Sequence, residues 1–275
     1  MNKELCAQRL RAVAFDLDDT LLHDDLSISP YTVNTLRTLA LAGIHIIPAS
    51  GRSFLSMKPF LDRLDCASLF ITCNGAEIRD GKTHELLRSE FFPPELGREI
   101  ARFGNLHHCY TQTYGDGHFY YSEHSVWAER YAAASVLTGM YVGNLELFIR
   151  EPRNKILMMA EEDKIAAMLV EARQVFAGRA SVTCSKPYFL EFNPLGATKG
   201  IALEYAAKKL GISPRDIIAF GDGLNDLPML QAAGWSVAMT NGQEALKSVC
   251  CDICPSNQDD GVAVYLTNCF REVYA

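Results

Sequence analysis

The sequence predicts an α/β protein in which a parallel-sheet domain is interrupted by a second α/β domain. Over residues 11–74, short apolar or β-branched runs alternate with segments of helical periodicity. This alternation is typical of strands joined by right-handed helical crossovers, which place the strands parallel. After residue 74 the alternation is lost, and it returns only near residue 188. The two breaks therefore predict an insertion within the sheet domain.

The first part of the chain contains three predicted strands and two predicted helices. One helix begins at Ser29-Pro30, because serine caps helices and proline suits the first turn, and it ends at Gly43. A second helix covers residues 53–64. The strands are apolar runs bounded by turn residues, over 11–16, 44–49 and 68–73.

The inserted part mixes strands and helices. It follows an Asp80-Gly81 dipeptide, which is typical of a tight hairpin. We predict strands at 109–113, 118–122, 155–160 and 180–184, and helices at 94–103, 126–135 and 163–176. The predicted division is a core domain of residues 1–82 and 188–275, with residues 83–187 inserted.

The sheet domain resumes with a predicted strand at 188–192 and a helix that ends at Gly211. Three further strands and a closing helix follow, at 216–220, 235–239, 251–254 and 261–270. These elements predict a Rossmann-like parallel-sheet core. In such sheets ligands bind beyond the carboxyl ends of the strands.

The composition is that of a globular protein, with 48% hydrophobic and 21% charged residues. A formal net charge of −7 provides no basic field for nucleic acid or an anionic membrane, so an anionic substrate needs local cations. No run approaches the roughly 20 apolar residues of a membrane span, and Met1–Arg11 has no apolar signal-peptide core. Nine cysteines without a secretory signal indicate reduced thiols. We expect a cytoplasmic protein without nucleic-acid or membrane partners; its oligomeric state stays open.

Asp16 and Asp18 directly follow the first buried strand. Residues i and i+2 of extended backbone point the same way, so the two carboxylates can converge on one ligand. Without a cation they would repel each other, and one would tend to stay protonated. Mg²⁺ relieves this conflict because it prefers carboxylate, water and phosphate oxygens. The alternative is an aspartate-rich turn, which the motif alone does not exclude.

Polar groups recur at other strand ends and helix starts. In chain order the clusters are Asp16 and Asp18; Ser50, Gly51 and Arg52; Lys199; and Asp222, Asn225 and Asp226. Four motifs in this order resemble the haloacid dehalogenase superfamily of phosphohydrolases, especially its Cof-type branch, whose large α/β cap lies between the second and third motifs. The resemblance covers essentially the whole chain and implies that residues 83–187 form the cap. Asp19 departs from the glycine of many relatives, and we expect this to affect only the local turn.

The resemblance implies catalysis through an aspartyl-phosphate. Asp16 would be the nucleophile, and Asp18 the general acid and then the base, for which its surroundings must raise its pKa. Ser50 would hold a phosphoryl oxygen together with a neighbouring backbone N–H. Lys199 would stabilise the charge of the nucleophile and the phosphoryl group. Taken alone, Lys199 is more typical of an ordinary solvated lysine.

The resemblance also implies a Mg²⁺ cofactor. Its ligands would be Asp16, the backbone carbonyl of Asp18 and Asp222. Asn225 would orient these ligands, and Asp226 would act through a water molecule on the metal. The ordinary alternative is a turn with Asn225 or Asp226 as a helix N-cap.

The leaving group is chosen by the cap in this family, so the sequence predicts its identity only broadly. Candidate substrate contacts are Arg52, Asn74, Gly75 and Asn193; for Arg52 a salt bridge between core and cap is the alternative. We expect a small phosphorylated metabolite, with sugar phosphates ahead of flavin or pyridoxal phosphates. A phosphotransferase or mutase of the phosphomannomutase type would carry the same motifs. A non-catalytic ligand sensor is a third alternative, although a sensor has no need of the nucleophile.

Overall fold

The computed structural model of the protein describes residues 10–115 and 117–270. Strands and helices are numbered here in chain order. The core contains a parallel sheet with the strand order β14, β13, β12, β1, β2. Its strands are β1 (Ala12–Phe15), β2 (His45–Pro48), β12 (Ile217–Gly221), β13 (Trp235–Met239) and β14 (Asp252–Cys254). The predicted parallel-sheet core and α/β fold are confirmed.

Helices cover both faces of this sheet. Successive residues of a strand point to opposite faces, so Val13 and Phe15 pack in one buried cluster while Ala12 and Ala14 pack in another. The small alanine side chains allow a helix with several alanines of its own to lie close to the second face. The core helices are α1 (Pro30–Leu41), α2 (Phe54–Leu64), α7 (Lys199–Leu210), α8 (Leu227–Ala232), α9 (Glu244–Lys247) and α10 (Gly261–Cys269).

The third predicted strand is present, but it belongs to a different sheet. Strand β3 (Leu69–Thr72) pairs antiparallel with β4 (Glu77–Asp80), which pairs with β5 (Leu86–Ser89). Only an isolated bridge between Ala49 and Ile71 joins β3 to the parallel sheet. On that side Ile46 and Ser50 bond to residues of the β3 segment, whereas Pro48 between them has no N–H to donate. The missing donor interrupts the ladder.

The inserted part forms a six-stranded sheet with the order β10, β11, β9, β6, β7, β8. Its strands are β6 (Tyr110–Gly115), β7 (His118–Tyr121), β8 (Thr138–Tyr141), β9 (Ile156–Met159), β10 (Ala180–Thr183) and β11 (Phe189–Pro194). Its helices are α3 (Pro94–Leu106), α4 (Val126–Ser135), α5 (Leu145–Phe148) and α6 (Glu162–Val175). Residues from α3, α6 and the sheet share one buried cluster.

Strand β11 corrects a prediction. The run at 188–192 was expected to resume the parallel core, but β11 pairs antiparallel with β9 and β10 in the cap sheet. Its apolar residues Leu190 and Phe192 pack in the cap cluster, because an antiparallel partner lies on each side of the strand. The domain division at residues 82 and 187 stays a prediction, and this pairing favours an end of the insertion after Pro194.

Within the two ranges that the structure describes, no helix combines the length and the apolar character that crossing a membrane requires. The eight cysteines in these ranges are free thiols, in agreement with the expected reduced state. Residues 1–9, where a signal peptide was not expected, lie outside the described part of the chain.

Helix α7 offers a matched test of the packing against the sheet. Leu203 is fully buried between α7 and the sheet, whereas Ile201 on the same helix is 38% exposed. We expect Leu203→Ala to lower the free energy of unfolding by about 2–5 kcal/mol, because it leaves a cavity in the core. Ile201→Ala should cost less than about 1 kcal/mol, because little apolar area is lost from the interior. Urea unfolding of both variants measures the difference, and equal losses would contradict the assigned packing.

Candidate active site

Lys199 joins two of the predicted motifs in the interior of the protein. Its Nζ lies 2.7 Å from Asp16 Oδ1 and 2.6 Å from Asp226 Oδ1, and its side chain is fully buried. Burial alone would lower the pKa of Lys199, but the charges of Asp16 and Asp226 raise it above its ordinary value. Lys199 is the first residue of α7, so the positive end of that helix also points towards Asp16. The lysine is therefore a fixed cation beside the predicted nucleophile.

The donor set fits a divalent metal ion. Carboxylate oxygens of Asp16, Asp222 and Asp226 lie within 4.8 Å of one another. Burial and the neighbouring carboxylates raise the pKa of Asp16 well above its ordinary value and that of Asp222 to about 7. Lys199 supplies a single positive charge against three carboxylates. A hard cation such as Mg²⁺ would remove the remaining repulsion, since it prefers carboxylate ligands.

The loop after β12 is held in place by Asp226. Its Oδ2 accepts hydrogen bonds from the backbone N–H groups of Asp222 and Gly223, at 3.0 and 3.1 Å. Thr20 Oγ1 donates to Asp222 Oδ1 at 2.8 Å and joins this loop to the one after β1. Both oxygens of Asp226 are thus engaged by Lys199 and the loop, which makes it a positioning residue. Its expected action through water on a metal stays a prediction.

Asp18 does not have the environment that was expected for a general acid. Arg52 binds its carboxylate with two hydrogen bonds, from Nε to Oδ2 at 2.8 Å and from Nη2 to Oδ1 at 2.7 Å. Burial alone would raise the pKa of Asp18, but the hydrogen bonds and charge of Arg52 lower it below its ordinary value. In this state Asp18 is ionised. The raised pKa that a general acid requires is therefore absent in this arrangement of the site.

Ser50 and Gly51 line the same cavity as Asp16. Ser50 Oγ accepts a hydrogen bond from the N–H of Arg52 at 3.1 Å, which leaves its hydroxyl hydrogen free to donate. The N–H of Ser50 is bonded to the carbonyl of Ile71. In the part of the chain that the structure describes, the N–H of Gly51 has no acceptor. These two groups suit the expected contacts to a phosphoryl oxygen.

Arg52 is the one predicted substrate contact that lines the cavity. Besides Asp18, its guanidinium donates to Ser56 Oγ at 3.0 Å and to the carbonyl oxygen of Ala134 at 2.9 Å. Ala134 belongs to cap helix α4, so Arg52 also connects core and cap. The alternative of a core–cap contact is thus present, although the cap partner is a carbonyl and the salt bridge lies within the core.

The other three predicted substrate contacts do not line the cavity. Asn74 and Asn193 are buried and hydrogen bonded to each other at 3.1 Å, and Asn74 accepts from Asn225 at 3.2 Å. Gly75 has a φ of +100°, and a Cβ there would lie 2.4 Å from the carbonyl oxygen of Thr198. Gly75 therefore allows the backbone to approach the start of α7, next to Lys199. The structure places these residues in supporting positions.

Sequence reasoning missed a buried ion pair between Lys155 and Glu191, which lines the cavity from the cap side. Lys155 Nζ also donates to the carbonyl oxygen of Gly51 at 2.8 Å, and Glu191 accepts from Asn74 at 3.2 Å. A Cβ on Gly51 would lie 2.9 Å from Asn74 Oδ1. The pair thus joins two cap strands to the Ser50–Arg52 loop. The signal available in the sequence was one charged residue, Lys155 or Glu191, in each of two otherwise apolar runs.

The cavity has a volume of ≈ 260 Å³ and lies between core and cap. Asp16, Asp18 and Asp222 line it from the core side. The cap side consists mainly of residues that were not among the predicted substrate contacts: Trp127, Arg130, Tyr131, Ala134, Lys186, Tyr188 and Phe189. A phosphoryl group at Asp16 would therefore have its leaving group facing these side chains.

The chain is similar in sequence to known phosphatases. An HMP-PP phosphatase of Serratia proteamaculans is 27% identical over 274 residues, which cover 96% of this chain and 97% of the relative. A 5-amino-6-(5-phospho-D-ribitylamino)uracil phosphatase of Bacillus subtilis is 28% identical over 267 residues, 94% of this chain and 97% of the relative.

The folded chain is similar to solved structures as well. A haloacid dehalogenase-like hydrolase from Bacteroides thetaiotaomicron shares 27% identity and a TM-score of 0.84, over 95% of this chain and all (100%) of the other. The profile of the haloacid dehalogenase-like hydrolases matches residues 13–266. That range includes all four motifs and most of the chain, so the chain belongs to the haloacid dehalogenase-like hydrolase family.

Proposed function

We propose that the protein is a Mg²⁺-dependent phosphohydrolase that cleaves small phosphomonoesters through an aspartyl-phosphate at Asp16. The observation that carries this proposal is the buried Lys199, which bridges Asp16 and Asp226 beside Asp222. Lys199 binds the carboxylate of Asp16, and Asp16 lines a cavity that is large enough for a small ester. Relatives named as phosphatases of small phosphorylated metabolites support the same substrate class.

In the first step, a carboxylate oxygen of Asp16 attacks phosphorus and the bond from phosphorus to the leaving oxygen breaks. Asp18 gives its proton to that oxygen, so that an alcohol departs. In the second step, Asp18 takes a proton from water as the water oxygen attacks phosphorus. The bond between phosphorus and Asp16 then breaks and inorganic phosphate is released.

The site residues provide the electrostatics of these steps. Ser50 and the N–H of Gly51 donate to phosphoryl oxygens, and Lys199 offsets the charge that accumulates between Asp16 and phosphorus. Mg²⁺, held by Asp16, Asp222 and the backbone carbonyl of Asp18, would offset the charge of the phosphoryl group.

Arg52 has to change partners for Asp18 to act as an acid. In the structure both oxygens of Asp18 accept from Arg52, which favours the carboxylate over the protonated form. A phosphoryl group offers the same pair of acceptor oxygens to the guanidinium. On substrate binding, Arg52 moves from Asp18 to the phosphoryl group, and Asp18 is then able to hold a proton.

The role of Asp16 is tested by Asp16→Asn. The amide is not a nucleophile, so we expect kcat for p-nitrophenyl phosphate to fall by about 10³-fold or more. Asp62→Asn, which alters an exposed pair with Lys58, serves as the control and should keep wild-type kcat. An Asp16→Asn protein that retains a tenth of wild-type kcat would contradict covalent catalysis at this residue.

Metal dependence is tested by EDTA treatment and by thermal unfolding. EDTA should stop phosphate release and Mg²⁺ should restore it. Because an ion that binds only the folded state stabilises it, Mg²⁺ should raise the Tm of the EDTA-treated wild type. It should have little effect on Tm in Asp222→Asn, which loses a charged ligand. Full activity in metal-free buffer would contradict the assignment.

The exchange of Arg52 is tested by Arg52→Lys. Lysine keeps the charge but not the planar pair of donors, so we expect kcat/KM to fall by about 10- to 100-fold and inhibition by inorganic phosphate to weaken. Arg63→Lys, on the exposed last turn of α2, is the matched control. Unchanged phosphate inhibition in Arg52→Lys would show that Arg52 does not bind the phosphoryl group.

A further inference from the structure

Helix α4 presents one face to the cavity. Trp127, Arg130, Tyr131 and Ala134 follow one another at i, i+3, i+4 and i+7, and all four line the cavity. This spacing places them on a single side of the helix. Trp127 and Tyr131 pack in part against a buried cluster that contains Phe119, but the same face also bounds a space whose lining includes Asp16. The helix therefore forms the wall that faces a leaving group.

Arg130 differs from the other cations that line this cavity, because it forms no ion pair within the described part of the chain. The other three cations in its lining each pair with a carboxylate: Arg52 with Asp18, Lys155 with Glu191, and Lys186 with Asp19. Over the described ranges 10–115 and 117–270, Arg130 has no hydrogen-bonding or ion-pair partner. Its guanidinium lies 5.4 Å from the centroid of the Trp127 ring. Arg130 is exposed, and because it lies on the side of α4 that lines the cavity, its donors are accessible to a ligand there.

Aromatic rings form the rest of the cap wall. Trp127 stacks on Tyr188 with a centroid distance of 6.0 Å and an interplanar angle of 25°, and Phe189 contacts Tyr188 edge to face. Such rings favour a flat apolar group over a fully hydroxylated one. The volume of ≈ 260 Å³ is near the lower end of small-molecule sites, which are roughly 300–1,000 Å³. The leaving group is accordingly compact.

Building on the phosphohydrolase function proposed above, we propose that α4 selects the leaving group. The substrate is a phosphomonoester whose leaving group is a compact aromatic ring with a second anionic substituent. The ring packs against Trp127 and Tyr188, and the anion binds the free donors of Arg130. A carboxylate or a phosphate fits this position, because both offer paired oxygens to a guanidinium.

Two aryl esters that differ by one carboxylate test this assignment, namely phenyl phosphate and 4-carboxyphenyl phosphate. With wild-type protein, we expect kcat/KM to be about tenfold or more higher for the carboxylated ester, mainly through a lower KM, as a charge-assisted hydrogen bond provides. In Arg130→Gln the two esters should become about equal, because KM for the carboxylated ester rises to that for phenyl phosphate. Arg130→Lys should restore part of the preference.

Arg102→Gln is the matched control, since Arg102 lies on the exposed surface of cap helix α3 and pairs with Glu146. This variant should keep the full preference. A preference that persists in Arg130→Gln, the absence of a preference in wild type, or faster turnover of glucose 6-phosphate than of both aryl esters would overturn the leaving-group assignment. Absence of phosphate release from all three esters would instead contradict the proposed function.

Discussion

The buried contact of Lys199 with Asp16 and Asp226 is the interaction on which the site depends. A buried lysine is costly unless carboxylates compensate its charge, and buried carboxylates are costly for the same reason. Each of these three residues therefore requires the other two. They come from the end of β1, the start of α7 and the loop after β12, so the contact fixes three distant parts of the chain relative to one another. The electrostatic requirement of the site is thereby also a requirement of the fold.

A second buried ion pair fixes the cap relative to the core. Lys155 and Glu191 belong to the cap side, yet they bond to Gly51 and Asn74 of the core. Breaking such a pair leaves an unpaired buried charge, which is strongly unfavourable. The cap is consequently held on the loop that contains Ser50, close to the place where a phosphoryl group would bind. Gly51 belongs to this arrangement because a Cβ would occupy the space of Asn74.

The sequence allowed much of the fold to be predicted, and it indicated Asp16, Lys199 and Asp226, which the structure brings together, because local patterns mark both strands and strand ends. Parallel strands such as β1 and β12 are short apolar runs that end in carboxylates. The pairing of β11 could not be predicted, since an apolar run fits either sheet and the choice depends on distant partners. The bond of Arg52 to Asp18 was missed for a related reason. Side chains 34 residues apart carry no local signal of their contact.

The cap side of the cavity shows why a leaving group is harder to predict than a reaction. Phosphoryl transfer requires particular residue types, so Asp16 and Lys199 are conspicuous in the sequence. A wall of Trp127, Tyr131 and Tyr188 has the same composition as core packing, so the sequence does not distinguish it from a core. What separates the two is whether the helix face also borders a cavity, and that depends on how α4 lies relative to the core domain. Only the folded chain shows that this face, with an arginine that has no ion-pair partner among residues 10–115 and 117–270, lines the same cavity as Asp16.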